Sequence, residues 1–175
     1  MQDNMKRTTQ MLFGLISTAL LFGCSRAQSG DLDAARIRAK LESIPLDHQV
    51  NLTNEEWKAI LSPEQFYVMR QAGTEQACAA GNKLEYQSGI YVCSACGNPL
   101  YRAENKFNSG TGWPSFYQPI RPDAVQQKSS SEIFGSEIVC GRCGSHLGHV
   151  FRDGPAPTGL RYCMNSVALK HREDK

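Results

Sequence analysis

The sequence has little net charge, no long hydrophobic run and no internal repeat. Its 19 Lys and Arg residues are nearly balanced by 17 Asp and Glu residues, so the formal charge is only +2 over 175 residues. Nucleic-acid binding depends on clustered basic side chains, and the densest basic stretches, 36–40 and 170–175, are interrupted by apolar or acidic residues. We therefore expect no nucleic-acid partner. The 41% of apolar residues is typical of a globular protein with a core.

The longest apolar run, residues 11–22, is too short to cross a bilayer as a helix. It follows Lys6 and Arg7, as does the apolar part of a bacterial export signal. Its end, LFGC at 21–24, resembles the lipobox of bacterial lipoproteins, in which the cysteine is lipidated. The alternative is an ordinary cleaved signal with an incidental cysteine.

On the lipoprotein interpretation, residues 1–23 are a signal peptide and Cys24 carries a lipid anchor. The residue after Cys24 is Ser25 and not Asp, which resembles lipoproteins sorted to the outer membrane. We expect a protein of the bacterial cell envelope, anchored at the periplasmic face of the outer membrane.

Residues 24–50 are predicted to form a tether and a short helix. The small polar stretch 25–31 is typical of a linker. Apolar residues at helical spacing predict a helix over Leu32–Ile44, which Pro45 ends.

Two capping boxes predict two further short helices. Thr53 with Glu56 begins the first, and Ser62 with Gln65 begins the second, where proline occupies the first helical position. We expect the second helix to run to about residue 70 and to end with a left-handed conformation at Gly73.

Beyond Gly73, short β-type runs alternate with turn residues. The predicted strands are Gly89–Cys93, Glu132–Cys140, Leu147–Phe151 and Leu160–Lys170. These runs predict a mainly β protein of the α+β class, with antiparallel sheets fronted by short helices. Its domain is expected to span residues 51–172.

Four of the seven cysteines form two CxxC pairs with metal-ligand spacing. Cys93 with Cys96 and Cys140 with Cys143 supply the four thiolates that tetrahedral Zn²⁺ prefers. Each pair precedes a glycine, which permits a tight turn. Two disulfides or a redox-active CxxC are the alternatives. A zinc ion with four protein ligands has no open position for substrate, so we expect it to be structural.

Cys163 is a candidate nucleophile. In a strand, Arg161, Cys163 and Asn165 point to the same face, and a neighbouring cation is expected to lower the pKa of the thiol. The amide of Asn165 is expected to orient a substrate. A buried core cysteine is the alternative.

Two histidines and an aromatic pair accompany this cysteine in the sequence. His146 and His149 follow the second CxxC pair directly and are candidate acids or bases. Trp113 and Phe116 lie in a glycine-rich turn and would form a wall for a thioether-like group. Surface histidines and ordinary core aromatics are the alternatives.

The motifs together resemble those of the methionine-R-sulfoxide reductases, the type B enzymes. The resemblance covers about residues 52–170. Its motifs are SGTGWPSF at 109–116, CGSHLGHVFRDGP at 143–155, GLRYCMNSVAL at 159–169 and the two CxxC pairs.

This resemblance implies thiol-dependent reduction of methionine-R-sulfoxide in oxidised proteins, by a monomeric enzyme. It makes Cys163 the nucleophile and Asp153 an acidic residue that orients a histidine. The other implied site residues are His146, His149, Arg161, Asn165 and Trp113, with Phe116 and Phe151 as substrate contacts.

One position departs from a common family pattern. Many members have a resolving cysteine where this chain has Thr111. Family members with threonine there either use a cysteine elsewhere or have the sulfenic acid reduced directly. Cys78 is the one unassigned thiol of the predicted mature domain, and we expect it to form a disulfide with Cys163, which a thioredoxin-like dithiol would reduce. A zinc-ribbon-like binding module without catalysis and a disulfide-stapled lipoprotein are the competing interpretations.

Overall fold

The computed structural model of the protein describes residues 28–79, 88–131 and 135–173. The predicted signal peptide and the lipidation site at Cys24 lie outside these residues, and so do residues 25–27 of the predicted linker. Within the described ranges, no helix has both the length and the apolar character needed to cross a membrane.

Three helices precede nine strands in the described chain. The helices are α1 (Gln28–Ser43), α2 (Asn54–Ile60) and α3 (Pro63–Gln71). The strands are β1 (Ile90–Cys93), β2 (Pro99–Arg102), β3 (Lys106–Phe107), β4 (Ser115–Phe116), β5 (Val125–Ser131), β6 (Gly135–Cys140), β7 (His146–Phe151), β8 (Arg161–Met164) and β9 (Leu169–Arg172).

Both predicted capping boxes are present. The Thr53 hydroxyl accepts from the Glu56 amide while the Glu56 carboxylate accepts from the Thr53 amide, and Ser62 and Gln65 make the same reciprocal pair. These contacts satisfy amides that a helix start leaves without partners. The local sequence therefore determines where α2 and α3 begin.

Two helix ends differ from the predictions. Helix α1 begins at Gln28, so the linker predicted over 25–31 is wrong for its last four residues. The left-handed residue after α3 is Ala72, with φ 54°, and not Gly73. Gly73 serves a different purpose, because a Cβ there would lie 2.4 Å from the Tyr67 ring.

The strands form two antiparallel sheets, which confirms the mainly β prediction. One sheet has the order β2-β1-β9, and the other has the order β3-β4-β8-β7-β6-β5. The single strand predicted over 160–170 is wrong, since β8 and β9 belong to different sheets. A 3₁₀ turn at Ser166–Ala168 separates them.

A buried core joins the sheets and α3. Phe116 stacks on Tyr101 with ring centroids 4.3 Å apart, and Tyr91 meets Phe116 edge-on. Helix α3 packs against β7 and the 3₁₀ turn. As a result, the chain leaving α3 at residues 73–79 runs beside the end of β8, where Cys163 lies.

Candidate active site

The two CxxC segments form matching knuckles. In each, the amide of the glycine after the second cysteine donates to the carbonyl of the first cysteine, at 2.8 Å for Gly97 and 2.9 Å for Gly144. Both glycines have positive φ, 75° and 66°, a conformation that glycine adopts without strain. The glycines expected at these turns are thus explained by the observed geometry.

The four knuckle thiols are free, buried and close together. Their sulfurs all lie within 4.8 Å of one another, and the Cys93–Cys143 and Cys96–Cys140 pairs are 3.8 and 3.6 Å apart. Zinc–sulfur bonds of 2.3 Å at tetrahedral angles separate the sulfurs by about 3.8 Å. The cluster therefore fits a zinc ion.

The close packing of the four sulfurs shifts their pKa values in opposite directions, and hydrogen bonds from the other three thiols lower that of Cys140. The pKa of Cys93 is raised because its thiol hydrogen-bonds the sulfurs of Cys140 and Cys143, and because it is buried. Bound zinc removes such thiol protons outright. These four cysteines can hold a metal ion, as the sequence predicted.

Four residues form a row across the six-stranded sheet. Ser115 of β4 is the direct partner of Cys163 of β8, and Cys163 is the partner of His149 of β7. His149 is in turn the partner of Glu137 of β6. Directly opposed residues present their side chains on the same face of a sheet. The topology thus brings a thiol, an imidazole and a carboxylate to one surface.

A cavity of about 310 Å³ opens beside Cys163. It combines apolar walls with a thiol, an imidazole and an amide. The side chains that line it are Thr74, Trp113, His149, Phe151, Cys163, Met164 and Asn165.

One predicted wall residue is absent from the cavity. Phe116 is completely buried between Tyr101 and Tyr91, so its assignment as a substrate contact is wrong. Strand alternation explains the error, because neighbouring residues such as Ser115 and Phe116 face opposite sides of a strand. Trp113 lies in the preceding turn and does line the cavity.

The Cys163 thiol is half-buried, and burial dominates its titration. Burial raises its pKa, while hydrogen bonds from Thr111, Ser115 and Arg161 and the charge of Arg161 lower it only in part. Arg161 lowers the pKa of the thiol as predicted, but burial, which the sequence did not indicate, outweighs it. Burial thus favours the protonated form of the Cys163 thiol.

Asp153 contacts Arg161 and not a histidine. The two carboxylate oxygens accept from Nε and Nη2 of Arg161, both at 2.9 Å. This bidentate pair lowers the pKa of Asp153 and raises that of Arg161, chiefly through the hydrogen bonds. The guanidinium also lies 4.2 Å over the Phe151 ring, a cation–π contact. Asp153 thus holds Arg161 beside Cys163, which corrects its predicted role.

The acidic partner of a histidine is Glu137. The buried His146 donates from Nδ1 to the Glu137 carboxylate at 2.9 Å. His146 does not line the cavity, whereas His149 does. Burial lowers the pKa of His149, and the neighbouring His146 lowers it further, against an opposite effect of Glu137. Burial thus favours the neutral form of the His149 imidazole.

The Asn165 amide is largely used by the protein itself. Its oxygen accepts from the Glu75 amide at 3.1 Å, and its nitrogen donates to the Leu147 carbonyl at 3.1 Å. One amide N–H remains for a ligand in the cavity. The Glu75 carboxylate accepts from the Ser166 amide and hydroxyl and from the Val167 amide. These bonds fasten the segment after α3 to the end of β8.

Cys78 lies against the glycine-rich turn. Its amide donates to the Gly112 carbonyl at 2.7 Å, and a Cβ on Gly112 would lie 2.9 Å from the Cys78 sulfur. Thr111 in the same turn has its hydroxyl 3.9 Å from the Cys163 sulfur. The exposed Cys78 thiol and the Cys163 thiol thus flank the same turn.

Two residues of the site were missed by the sequence analysis. Glu75 and Glu137 are single acidic residues in no recognised motif. Only strand register places Glu137 opposite His149, although its position three residues before a CxxC pair is a weak local signal. The Glu75 contacts join residues about 90 positions apart, for which no local pattern exists.

Comparison with known proteins identifies the family to which the chain belongs. Residues 61–173 match the SelR domain family. A peptide methionine sulfoxide reductase MsrB of Methanosarcina barkeri is 51% identical over 128 residues, which cover 72% of this chain and 90% of that protein. The chain belongs to the MsrB family. A second MsrB, from Leptospira interrogans, is 48% identical over 131 residues, which cover 74% of this chain and all of that protein.

Membership of the MsrB family confirms the resemblance drawn from the motifs and identifies the chain as an enzyme. It excludes the competing interpretation of a zinc-ribbon-like module without catalysis. Free knuckle thiols at nonbonded distances also disagree with the disulfide-stapled alternative.

Proposed function

We propose that this MsrB-family enzyme reduces the R epimer of methionine sulfoxide in oxidised proteins, with Cys163 as the nucleophile. The observation that carries the proposal is the cavity in which the Cys163 thiol and its cross-strand partner His149 meet between two aromatic walls. The walls, Trp113 and Phe151, suit the methyl and methylene groups of a thioether chain. The choice of the R epimer rests on the type B motifs at 109–116, 143–155 and 159–169.

The ionisation states of the site support a proton shuttle. Burial raises the pKa of the Cys163 thiol and so favours its protonated form, and burial lowers the pKa of His149 and so favours the neutral imidazole. His149 accepts the thiol proton as the sulfur attacks the sulfoxide sulfur, and then delivers that proton to the sulfoxide oxygen. The protonated oxygen then moves to the Cys163 sulfur as the sulfoxide S–O bond breaks. The transient bond between the two sulfurs breaks at the same time, so Cys163 is left as a sulfenic acid and methionine leaves. No external proton is consumed in this half-reaction.

Arg161 and Asn165 support the same step in different ways. Arg161, held by Asp153, lowers the pKa of the Cys163 thiol and so stabilises the thiolate as it forms. The remaining N–H of Asn165 is available to the sulfoxide oxygen. Trp113 Nε1 is buried without a hydrogen-bond partner in the described part of the chain, so it too is free to donate.

Cys78 is proposed to resolve the sulfenic acid. Its thiolate attacks the Cys163 sulfur, a disulfide forms, and the hydroxyl leaves as water. A thioredoxin-like dithiol then reduces the disulfide by exchange and is itself oxidised. Support comes from the position of Cys78 against the turn that carries Thr111, next to Cys163. A bridge requires the two Cα atoms to approach within about 7 Å.

The metal is proposed to be one structural Zn²⁺ held by Cys93, Cys96, Cys140 and Cys143. With four protein ligands, it has no coordination position for substrate. The second knuckle leads directly into β7. A metal ion that holds this knuckle would therefore also hold the backbone of His146 and His149 in position. Zinc therefore holds the site in shape and takes no part in the chemistry.

The enzyme is proposed to work in the bacterial cell envelope as a lipoprotein. The support is the sequence alone, namely the apolar run 11–22 and the lipobox-like ending at Cys24. Palmitate labelling of cells that express the wild type and Cys24→Ala tests the anchor. Label on the wild type only supports it, and equal label on both contradicts it.

The activity is tested with peptides that contain resolved R and S epimers of methionine sulfoxide, with dithiothreitol as reductant. We expect turnover of the R epimer only, and loss of that turnover in Cys163→Ser. Turnover of the S epimer at a comparable rate would contradict the proposed stereochemistry.

A further inference from the structure

We propose that Glu137 is a positioning residue for His149 and acts through His146. This inference rests on the proposed function in one respect, the role of His149 as the proton carrier. No sequence motif draws attention to Glu137, and its side chain does not line the substrate cavity. It affects the reaction only through the imidazoles.

Glu137 anchors the ring of His146. This ring is only 4% exposed, and its Nδ1 donates to the Glu137 carboxylate at 2.9 Å. A carboxylate on one ring nitrogen fixes both the orientation and the tautomer of an imidazole. Nε2 of His146 is buried and has no hydrogen-bond partner among the described residues. Glu137 is thus the one polar contact described for the ring.

The ring of His146 in turn contacts the ring of His149. The two rings meet edge to face, with centroids 5.4 Å apart and an interplanar angle of 65°. Aromatic rings prefer this arrangement, which adds to the stability of a pair. Within the described residues His149 makes no side-chain hydrogen bond of its own. Its ring is therefore held by contact with His146, which is in turn held by Glu137.

Strand pairing places His149 between Glu137 and the Cys163 thiol. His149 is the cross-strand partner of Glu137 on one side and of Cys163 on the other. Close approach of β7 and β8 beside it depends on Gly148, where a Cβ would lie 2.1 Å from the Cys163 carbonyl oxygen. The backbone brings His149 to Cys163, but a half-buried side chain can still rotate. The Glu137–His146 pair restricts that rotation.

The test measures single-turnover methionine release against peptide sulfoxide concentration in Glu137→Ala, Glu137→Gln and the wild type. Carboxylates that orient the imidazole of a metal-bound histidine contribute about tenfold to hundredfold, and we expect the lower end of that range for an imidazole that binds no metal. We expect Glu137→Ala to lower the limiting rate by about tenfold, with unchanged half-saturation. Glu137→Gln retains an acceptor for Nδ1 and should stay within about threefold of wild type. Glu104→Gln, at an exposed glutamate remote from the cavity, is the matched control.

Two further measurements separate positioning from a merely structural role. Nitrogen-15 spectra of the imidazoles should show Nδ1 of His146 protonated in the wild type and in Glu137→Gln, and a mixture of tautomers in Glu137→Ala. In a double-mutant cycle, Glu137→Ala should cause little further loss of rate when His149→Ala is already present. The reason is that the effects of mutations in residues that act as one unit do not add.

The outcomes distinguish this inference from the proposed function. If His149→Ala releases methionine at the wild-type rate, the proton-carrier role is wrong and the inference fails with it. If His149→Ala is slow but Glu137→Ala has the wild-type rate, or the two losses simply add, the positioning role of Glu137 is wrong while the proposed function stands.

Discussion

Cys163 and His149 are direct cross-strand partners on β8 and β7, near the middle of the six-stranded sheet. Burial raises the pKa of Cys163, which favours the protonated thiol, and lowers the pKa of His149, which favours the neutral imidazole with one ring nitrogen free to accept a proton. The pair therefore begins the reaction in the states that a proton transfer from sulfur to nitrogen requires.

The raised pKa of Cys163 predicts how the thiol reacts with an alkylating agent. Iodoacetamide reacts with the thiolate, so the alkylation rate of Cys163 should increase with pH, with a midpoint above the ordinary thiol value of about 8.5. Arg161→Met removes a charge that lowers this pKa, so its midpoint should lie higher still. Peptide mapping distinguishes Cys163 from Cys78. A midpoint below that of a free cysteine would contradict the burial argument.

The cysteine cluster predicts one tightly bound zinc ion per chain. Structural zinc contributes on the order of 10 kcal/mol to folding in small metal-dependent modules. Cys93→Ser should therefore lose the metal and melt far below the wild type, as measured by elemental analysis and thermal unfolding. Cys78→Ser, at an exposed cysteine outside the cluster, should keep both properties. Wild-type protein that contains no zinc and has two disulfides at these cysteines would contradict the proposed zinc site.

The proposed resolving role of Cys78 predicts a specific product after one turnover. Wild type given one equivalent of substrate should lose two thiols and yield a linked Cys78–Cys163 peptide. Cys78→Ser should still release about one methionine per enzyme and stop at a sulfenic acid that dimedone traps. Its recycling by thioredoxin should be slow. Recycling at the wild-type rate would mean that the reductant attacks the sulfenic acid directly and that Cys78 is not required.

Glu75 fastens the segment that contains Cys78, residues 73–79, to the chain that follows β8. Its buried carboxylate accepts three hydrogen bonds from Ser166 and Val167. In Glu75→Gln, one oxygen becomes a donor that faces other donors, which should lower the free energy of unfolding by about 1–3 kcal/mol. Disulfide formation should slow more than methionine release, because the Cys78 segment loses an anchor. Equal slowing of both steps would contradict this separation.

Local chemistry explains why part of this structure was predictable. Each capping box and each cysteine knuckle is built from residues within five positions of one another, so the sequence alone contains the contacts. The strand Ile90–Cys93 and the strand His146–Phe151 were also close to their predicted ranges, because alternation and turn residues are local signals.

The errors arose where distant parts of the chain decide the structure. Residues 160–170 look like one strand, but Glu75 binds the 3₁₀ turn at Ser166–Ala168 and divides them between two sheets. Asp153 is four residues from His149 in sequence, yet β8 brings Arg161 to its carboxylate. Phe116 faces the core because β4 pairs with β8 in a register that turns Ser115 toward Cys163. Sheet register was not available from the sequence.

The central claim is that Cys163 carries out the chemistry, and single turnover of the R epimer without reductant tests it most directly. The account predicts that wild type releases about one methionine per enzyme, and that dimedone or a disulfide marks Cys163. Cys163→Ser, with its zinc and melting temperature unchanged, should release none. Methionine release by Cys163→Ser at the wild-type rate, or a sulfenic acid found on another cysteine, would contradict the account.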